Sequence, residues 1–250
     1  VRLTVIGCSG SLPGPNSPAS CYLVEAEGFS LLIDLGSGAI GPLQRYQDLH
    51  AIDAVCISHL HADHCLDLCG YWIVRKYYPR PGQTRVPVHG PSGTAEHLAR
   101  AYGLDADPGM RETFDFQDLR QETWQLGPFR VTTALMNHPV ETYGFRIEHG
   151  GRVLAYSGDT GDCDALVDLA RDADVFLCES CWFEGPDLPE DMHLTGRTAG
   201  EHAARAGARK LVLTHLLPWN DSVRTLAEAK ASGFQGDIEV ARQGAVYDLA

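Results

Sequence analysis

The chain has 250 residues, 44% of them hydrophobic and 21% charged, which suits one large α/β domain, 1–250, with a core of its own. Its formal charge of −13 counts against extended contact with nucleic acid, where affinity comes from neutralising phosphates. No segment approaches the roughly 20 apolar residues that span a bilayer, and no secretory leader is visible, so a cytoplasmic protein is expected.

In chain order, "RLTVIG", "SCYLVEA" and "FSLLIDL" read as strands, being β-branched and apolar between Gly, Pro and Ser. "AIGPLQRYQ" reads as a short helix and "AVCIS" as a short buried strand that runs into "HLHADH". A helix is expected from about Asp63 to Tyr77. The strand "VPVHG" follows, and then the helix "SGTAEHLARAYG", with a serine start and a glycine stop. Residues 105–125 carry no clear pattern. "FRVTTALMN", "TYGFRIEH" and "RVLAYSG" alternate like neighbouring strands. Next come a helix over "CDALVDLARDA", the strand "DVFLCES", a helix over "GRTAGEHAARAG" and the strand "KLVLTH". A helix over "SVRTLAEAKASG" and two closing strands complete the chain.

The run "SHLHADH" concentrates His59, His61, Asp63 and His64 in six positions. Strand alternation would point His59 and His61 together, with Asp63 and His64 approaching from the following turn. Imidazole nitrogens and carboxylate oxygens suit zinc-like ions, and two such pairs suit two ions. Further ligands must come from elsewhere, and His138, Asp159 and His215 each follow a strand. The eight cysteines read as free thiols. Cys178 and Cys181 make a lone C-x-x-C, read as two small strand-end residues. "RKYYPR" (75–80) interleaves Arg75, Lys76 and Arg80 with Tyr77 and Tyr78. It reads equally as a grip for a phosphate and a base or as a solvated helix end.

The order His59, His61, Asp63, His64, His138, Asp159, His215 resembles the metallo-β-lactamase superfamily across nearly the whole chain. That resemblance implies a four-layer αβ/βα sandwich, two mixed sheets flanked by helices, with a dinuclear centre at one edge. It implies two divalent ions, zinc first, with manganese or iron as alternatives. His59, His61 and His138 would hold one ion and Asp63, His64 and His215 the other, Asp159 bridging them; Asp63 also counts among the catalytic residues. "MHLTGRTAGEHAARAGARKLVLTH" is similar to the RNase Z-like branch, which implies His193, with Thr195 two residues on, as the acid and Glu179 as its partner.

That branch's ribonucleases carry a long arm, commonly between the positions of His138 and Asp159. Here the short stretch between them is taken up by two strands and a turn. The chain therefore most resembles the arm-less cyclic-nucleotide phosphodiesterases of actinobacteria, through "GCSGSLPGPNSPAS", "SHLHADHCLDL", "AYSGDTG" and "VFLCES". The implied partner is a small phosphodiester, with a homodimer possible as the assembly. A tRNA 3′-end endonuclease without the arm, or a lactone or thioester hydrolase, would use the same ligands. Asp34 is a candidate for orienting an imidazole.

Overall fold

A computed structural model describes residues 1–189 and 191–249. The first half lays down β1 (Arg2–Gly7), β2 (Cys21–Ala26), β3 (Phe29–Ile33), β4 (Ala54–Cys56), β5 (Val86–Gly90) and β6 (Phe114–Asp118). The second half lays down β7 (Thr123–Leu126), β8 (Phe129–Leu135), β9 (Tyr143–His149), β10 (Arg152–Tyr156), β11 (Val175–Glu179), β12 (Lys210–Thr214) and β13 (Asp237–Val240). β14 (Val246–Asp248) returns to pair with β1, giving sheet orders β14-β1-β2-β3-β4-β5-β6 and β13-β12-β11-β10-β9-β8-β7. Each sheet begins as antiparallel hairpins and continues as parallel strands, from β3 through β6 and from β10 through β13.

Strand alternation builds the layers. Leu3, Val5, Tyr22, Val24, Leu31 and Ile33 face Phe129, Val131, Phe145, Ile147 and Tyr156 across the gap between the sheets. The alternate residues Ile6, Cys21, Leu23 and Leu32 turn outward onto Leu68, Tyr71 and Trp72 of α3 (Leu68–Tyr77) and Leu98 of α4 (Thr94–Tyr102). On the other side, Phe176, Leu211 and Leu213 meet three helices. These are α5 (Asp164–Leu169), α6 (Gly196–Ala206) and α7 (Ser222–Lys230). The result is the expected four-layer sandwich, helices–sheet–sheet–helices.

Three local expectations need correction. The helix expected over 63–77 is two pieces, α2 (Ala62–Cys65) and α3. The loop after β3 intrudes at the break: Leu35 N donates to His64 O, and Asp67 N donates to Leu35 O. The patternless stretch 105–125 contains β6 and β7, which close one end of each sheet. Edge strands facing water carry polar side chains such as Gln117, Asp118 and Gln125, so no apolar run marks them. The residue capping α4 is Gly93, in a left-handed conformation, and Ser92 lies outside the helix.

The parallel strands bring their carboxyl ends to one edge, where α/β sheets form their crevices. The loops leaving β3, β4, β8, β10, β11 and β12 all start there. Gly36, in the loop after β3, lies so close to α2 that a Cβ would sit 1.9 Å from the Asp63 carbonyl oxygen. Gly36→Ala should therefore destabilise the protein by about 1–3 kcal/mol, the range for overpacking, and should weaken metal retention by displacing Asp63. Chemical denaturation with and without a chelator checks both; an unchanged midpoint would show that the loop does not brace α2.

Candidate metal centre

β4 ends at Cys56, so His59 and His61 stand in the loop beyond it and not on the strand whose alternation was to align them. They meet nonetheless: His59 Nε2 lies 3.0 Å from His61 Nδ1, and His138 Nε2 lies 3.4 Å from the same His61 atom. The first turn of α2 presents Asp63 and His64. His215 follows β12 in a left-handed backbone, φ 58°. Its Nε2 sits 3.1 Å from Asp63 Oδ2 and 3.2 Å from His64 Nε2.

Asp159 stands between these two sets. Its Oδ2 lies 3.5 Å from His59 Nε2, while its Oδ1 lies 3.3 Å from His64 Nε2 and 3.4 Å from His215 Nε2. Donor atoms of His59, His61, His138 and Asp159 fall within 4.8 Å of one another, as do those of Asp63, His64, Asp159 and His215. The seven residues predicted as ligands are thus brought together, in the two groups expected.

The donors' environment decides whether a metal fits. Burial, with the neighbouring His64, holds the His59 imidazole well below its ordinary pKa. Burial also lowers His61 and His138. Neutral imidazoles at these three positions offer lone pairs, the state a metal requires. At His64, burial is outweighed by Asp159 and Asp34, which raise its pKa, so a metal there would displace a proton. Burial would raise the Asp159 carboxyl, but the neighbouring His215 and His64 outweigh it and hold the group ionised. Among the described residues, only the His64 and His215 imidazoles approach the buried Asp159 Oδ1, and neither makes a well-formed hydrogen bond to it. An anionic oxygen so placed is costly unless a cation meets it. These residues fit divalent metal.

Neighbouring groups fix the ligands in place. His138 Nδ1 donates to the Met192 carbonyl at 2.9 Å, which turns Nε2 toward His61. His64 Nδ1 lies 2.8 Å from Asp34 Oδ2, the role expected of Asp34. Asp34 is fully buried, has φ 58°, and accepts from Ser58 N, Ser58 Oγ and Tyr156 Oη at 2.7–2.9 Å. A positive φ at a non-glycine residue is disfavoured, so these bonds hold a strained turn. The loop "GCSGSLPGPNS" docks alongside: Cys8 O accepts from His215 N, and a Cβ on Gly10 would lie 2.3 Å from His215 O. Close approach, beyond turn chemistry, explains that glycine.

Glu179 ends β11, fully buried. Its Oε1 accepts from Thr160 N at 2.9 Å, its Oε2 from Cys181 N and Leu194 N at 3.1 and 3.2 Å. His193 Nδ1 lies 2.8 Å from Glu179 Oε1. Burial would depress that imidazole, but the Glu179 charge and hydrogen bond prevail and raise its pKa to about 9. The His193 ring lies 5.4 Å from the rings of both His138 and His215, centroid to centroid. Thr195 serves a different purpose: it caps α6, exchanging hydrogen bonds with Thr198.

Other sequence features separate here. Cys178 is buried against the helices flanking the second sheet, whereas Cys181 lies near His193 and His215, its thiol pushed above the ordinary range by burial. The C-x-x-C spacing drew attention to a pair that the fold splits. The eight cysteines are free, as expected. Ser58 and Tyr156 were missed; only Ser58, next to the histidine run, had a local signal. "RKYYPR" lies at the far end of α3, about 15 Å along a ten-residue helix from α2. Arg75 binds the carbonyls of His50 and Thr84, Arg80 pairs with Asp48, and Lys76 pairs with Glu112. It therefore does not grip a substrate at the metal edge.

The family model described as the β-lactamase superfamily domain matches residues 30–216. The chain belongs to the metallo-β-lactamase superfamily. An uncharacterised member from Mycobacterium leprae is 44% identical over 100% of this chain and 89% of its own length. YhfI of Bacillus subtilis, named a probable metallo-hydrolase, is 32% identical over 99% of this chain and 100% of its own. The crystal structure of YhfI matches with TM-score 0.88, covering 99% of each chain at 28% identity. A superfamily member named ribonuclease Z, from Kineococcus radiotolerans, is 32% identical over 92% of this chain and 88% of its own. Among the described residues no helix is long and apolar enough to cross a membrane.

Asp34→Asn keeps the shape of the side chain but weakens its grip on His64. Loss of such a supporting carboxylate typically lowers metal affinity about 10–100-fold, and competition against a chelator should show a fall of that size. Unchanged affinity would reduce Asp34 to a packing residue.

Proposed function

We propose that the chain, a metal-dependent hydrolase of this superfamily, hydrolyses a small phosphodiester, with a 3′,5′-cyclic nucleotide as substrate. His59, His61 and His138 would hold one divalent ion and Asp63, His64 and His215 a second, with Asp159 reaching both; zinc is the first choice, manganese or iron the alternatives. Ions bound there would supply Lewis acidity toward phosphate oxygens and lower the pKa of a water toward neutrality.

The observation that carries the reading is the His193–Glu179 pair beside both ligand sets. A ribose alkoxide is a poor leaving group and needs a proton as its bond to phosphorus breaks. His193, held protonated by Glu179, has Nδ1 engaged, and among the described residues nothing bonds to its Nε2, which is left to donate. Glu179 is a positioning residue: three backbone N–H groups fix its carboxylate, and the carboxylate fixes the imidazole. A lactone or thioester hydrolase has less need of such an acid. The ribonuclease Z relative favours tRNA 3′-end cleavage as a second reading. Against it, His138 is separated from Asp159 by β9 and β10, and the connections flanking these strands, 136–142, 150–151 and 157–158, are short. The charge of −13 also opposes a long RNA.

His193→Ala should keep its metal and lose about 10²–10⁴-fold in cyclic-nucleotide turnover, the usual worth of a general acid. Hydrolysis of bis(p-nitrophenyl) phosphate, whose leaving group needs no proton, should fall far less. Equal losses on both substrates would remove the acid role and with it the preference for a phosphodiester. In the unaltered protein, a cyclic nucleotide should be turned over faster than precursor tRNA at equal concentration; the reverse, with correct 3′ cleavage, would favour the endonuclease.

A further inference from the structure

A second cavity lies at the opposite edge of the first sheet, where β3 and β5 begin. It holds about 550 Å³, and its lining includes Phe29, His50, Asp53, Arg75, Arg80 and Arg85. That volume is within the usual range for small-ligand sites. The chain as a whole has 20 Lys and Arg against 33 Asp and Glu, so three arginines lining one cleft are a local concentration of guanidinium, although Asp48 and Asp115 pair with two of them.

Arg75 is the informative residue. It is only 5% exposed, yet among the described residues no carboxylate pairs with it. Its Nη2 donates to Thr84 O at 2.6 Å and its Nη1 to His50 O at 3.5 Å, while Nε is buried without an acceptor. One helical turn earlier, the hydroxyl of fully buried Tyr71 also lacks a partner among the described residues. A buried guanidinium without a counter-charge costs free energy that an anion would recover. Arg80 and Arg85 do have partners, Asp48 at 2.6 Å and Asp115 at 3.5 Å. Those pairs are exposed, and exposed ion pairs are weak enough to open for a stronger acceptor. Guanidinium groups bind phosphate oxygens in forked, charge-assisted hydrogen bonds. The half-buried Phe29 offers a flat apolar surface in the same cleft.

We propose that this cleft binds a phosphorylated small molecule of mononucleotide size, its phosphate on Arg75, Arg80 and Arg85 and its body against Phe29. The site is separate from the metal centre. β4 and α3 run between the two, with the cleft at the start of β4 and the end of α3. The inference does not depend on which ester the metal centre cleaves.

The probe is adenosine monophosphate, added to the metal-loaded protein and read by hydrogen–deuterium exchange. Protection is expected over residues 50–53 and 80–87, whether or not the metal edge responds. The double variant Arg80→Gln/Arg85→Gln changes two exposed residues and should leave bis(p-nitrophenyl) phosphate hydrolysis unchanged. Its half-saturating concentration for that protection should rise about tenfold or more, since charge-assisted hydrogen bonds to the phosphate are lost. Arg75→Gln should raise it likewise. Adenosine, lacking the phosphate, should not protect. Protection confined to the metal edge, equal protection by adenosine, or an unshifted midpoint in a folded double variant would overturn the assignment.

Discussion

The Asp159 carboxylate is the constraint on which the site turns. It is 2% exposed, carries charge, and aims one oxygen at each of two histidine groups. A buried anion must be neutralised, and the protein assembles its partners from five other places in the chain. His59 and His61 follow β4, His64 lies in α2, His138 follows β8, His193 precedes α6, and His215 follows β12. Several of these are fixed by groups outside the set, His64 by Asp34, His138 by the Met192 carbonyl and His193 by Glu179, so part of the arrangement is pre-set by the fold.

That pre-setting is visible as strain and close approach. Asp34, beside the centre, and His215, within it, adopt left-handed backbone conformations. Gly10 and Gly36 let backbone press against His215 and Asp63. Such features persist only where surrounding packing over-determines them. Here the packing is the apolar interior between the sheets, which fixes the strand ends, and with them the loops. The rigid part of the molecule thus supplies geometry, and the loops supply chemistry.

Much of this was legible in the sequence for a physical reason. The parallel strands are buried on both faces, so "VFLCE" and "KLVLT" are continuous apolar runs, and the groups that matter stand at or just beyond their ends. H-x-H-x-D-H is too dense in imidazole for an ordinary loop. What was not legible depends on long-range contact. The break between α2 and α3 comes from a loop about 30 residues upstream. Tyr156 reaches Asp34 across 122 residues, and no local pattern marks that pairing. β6 and β7 were missed because edge strands need not be apolar. "RKYYPR" shows the limit of reading charge locally: its cations are visible in the sequence, but not that α3 carries them to the end of the sheet opposite the metal centre.

Anomalous X-ray diffraction from crystals of the metal-loaded protein tests the central claim most directly. The account predicts two strong peaks, one on each side of the Asp159 carboxylate, about 3.5–4 Å apart as in two-metal hydrolytic centres. One peak should lie among His59, His61 and His138, the other among Asp63, His64 and His215. A single peak, or a peak bound by Cys181 and His193 in place of either set, would contradict it.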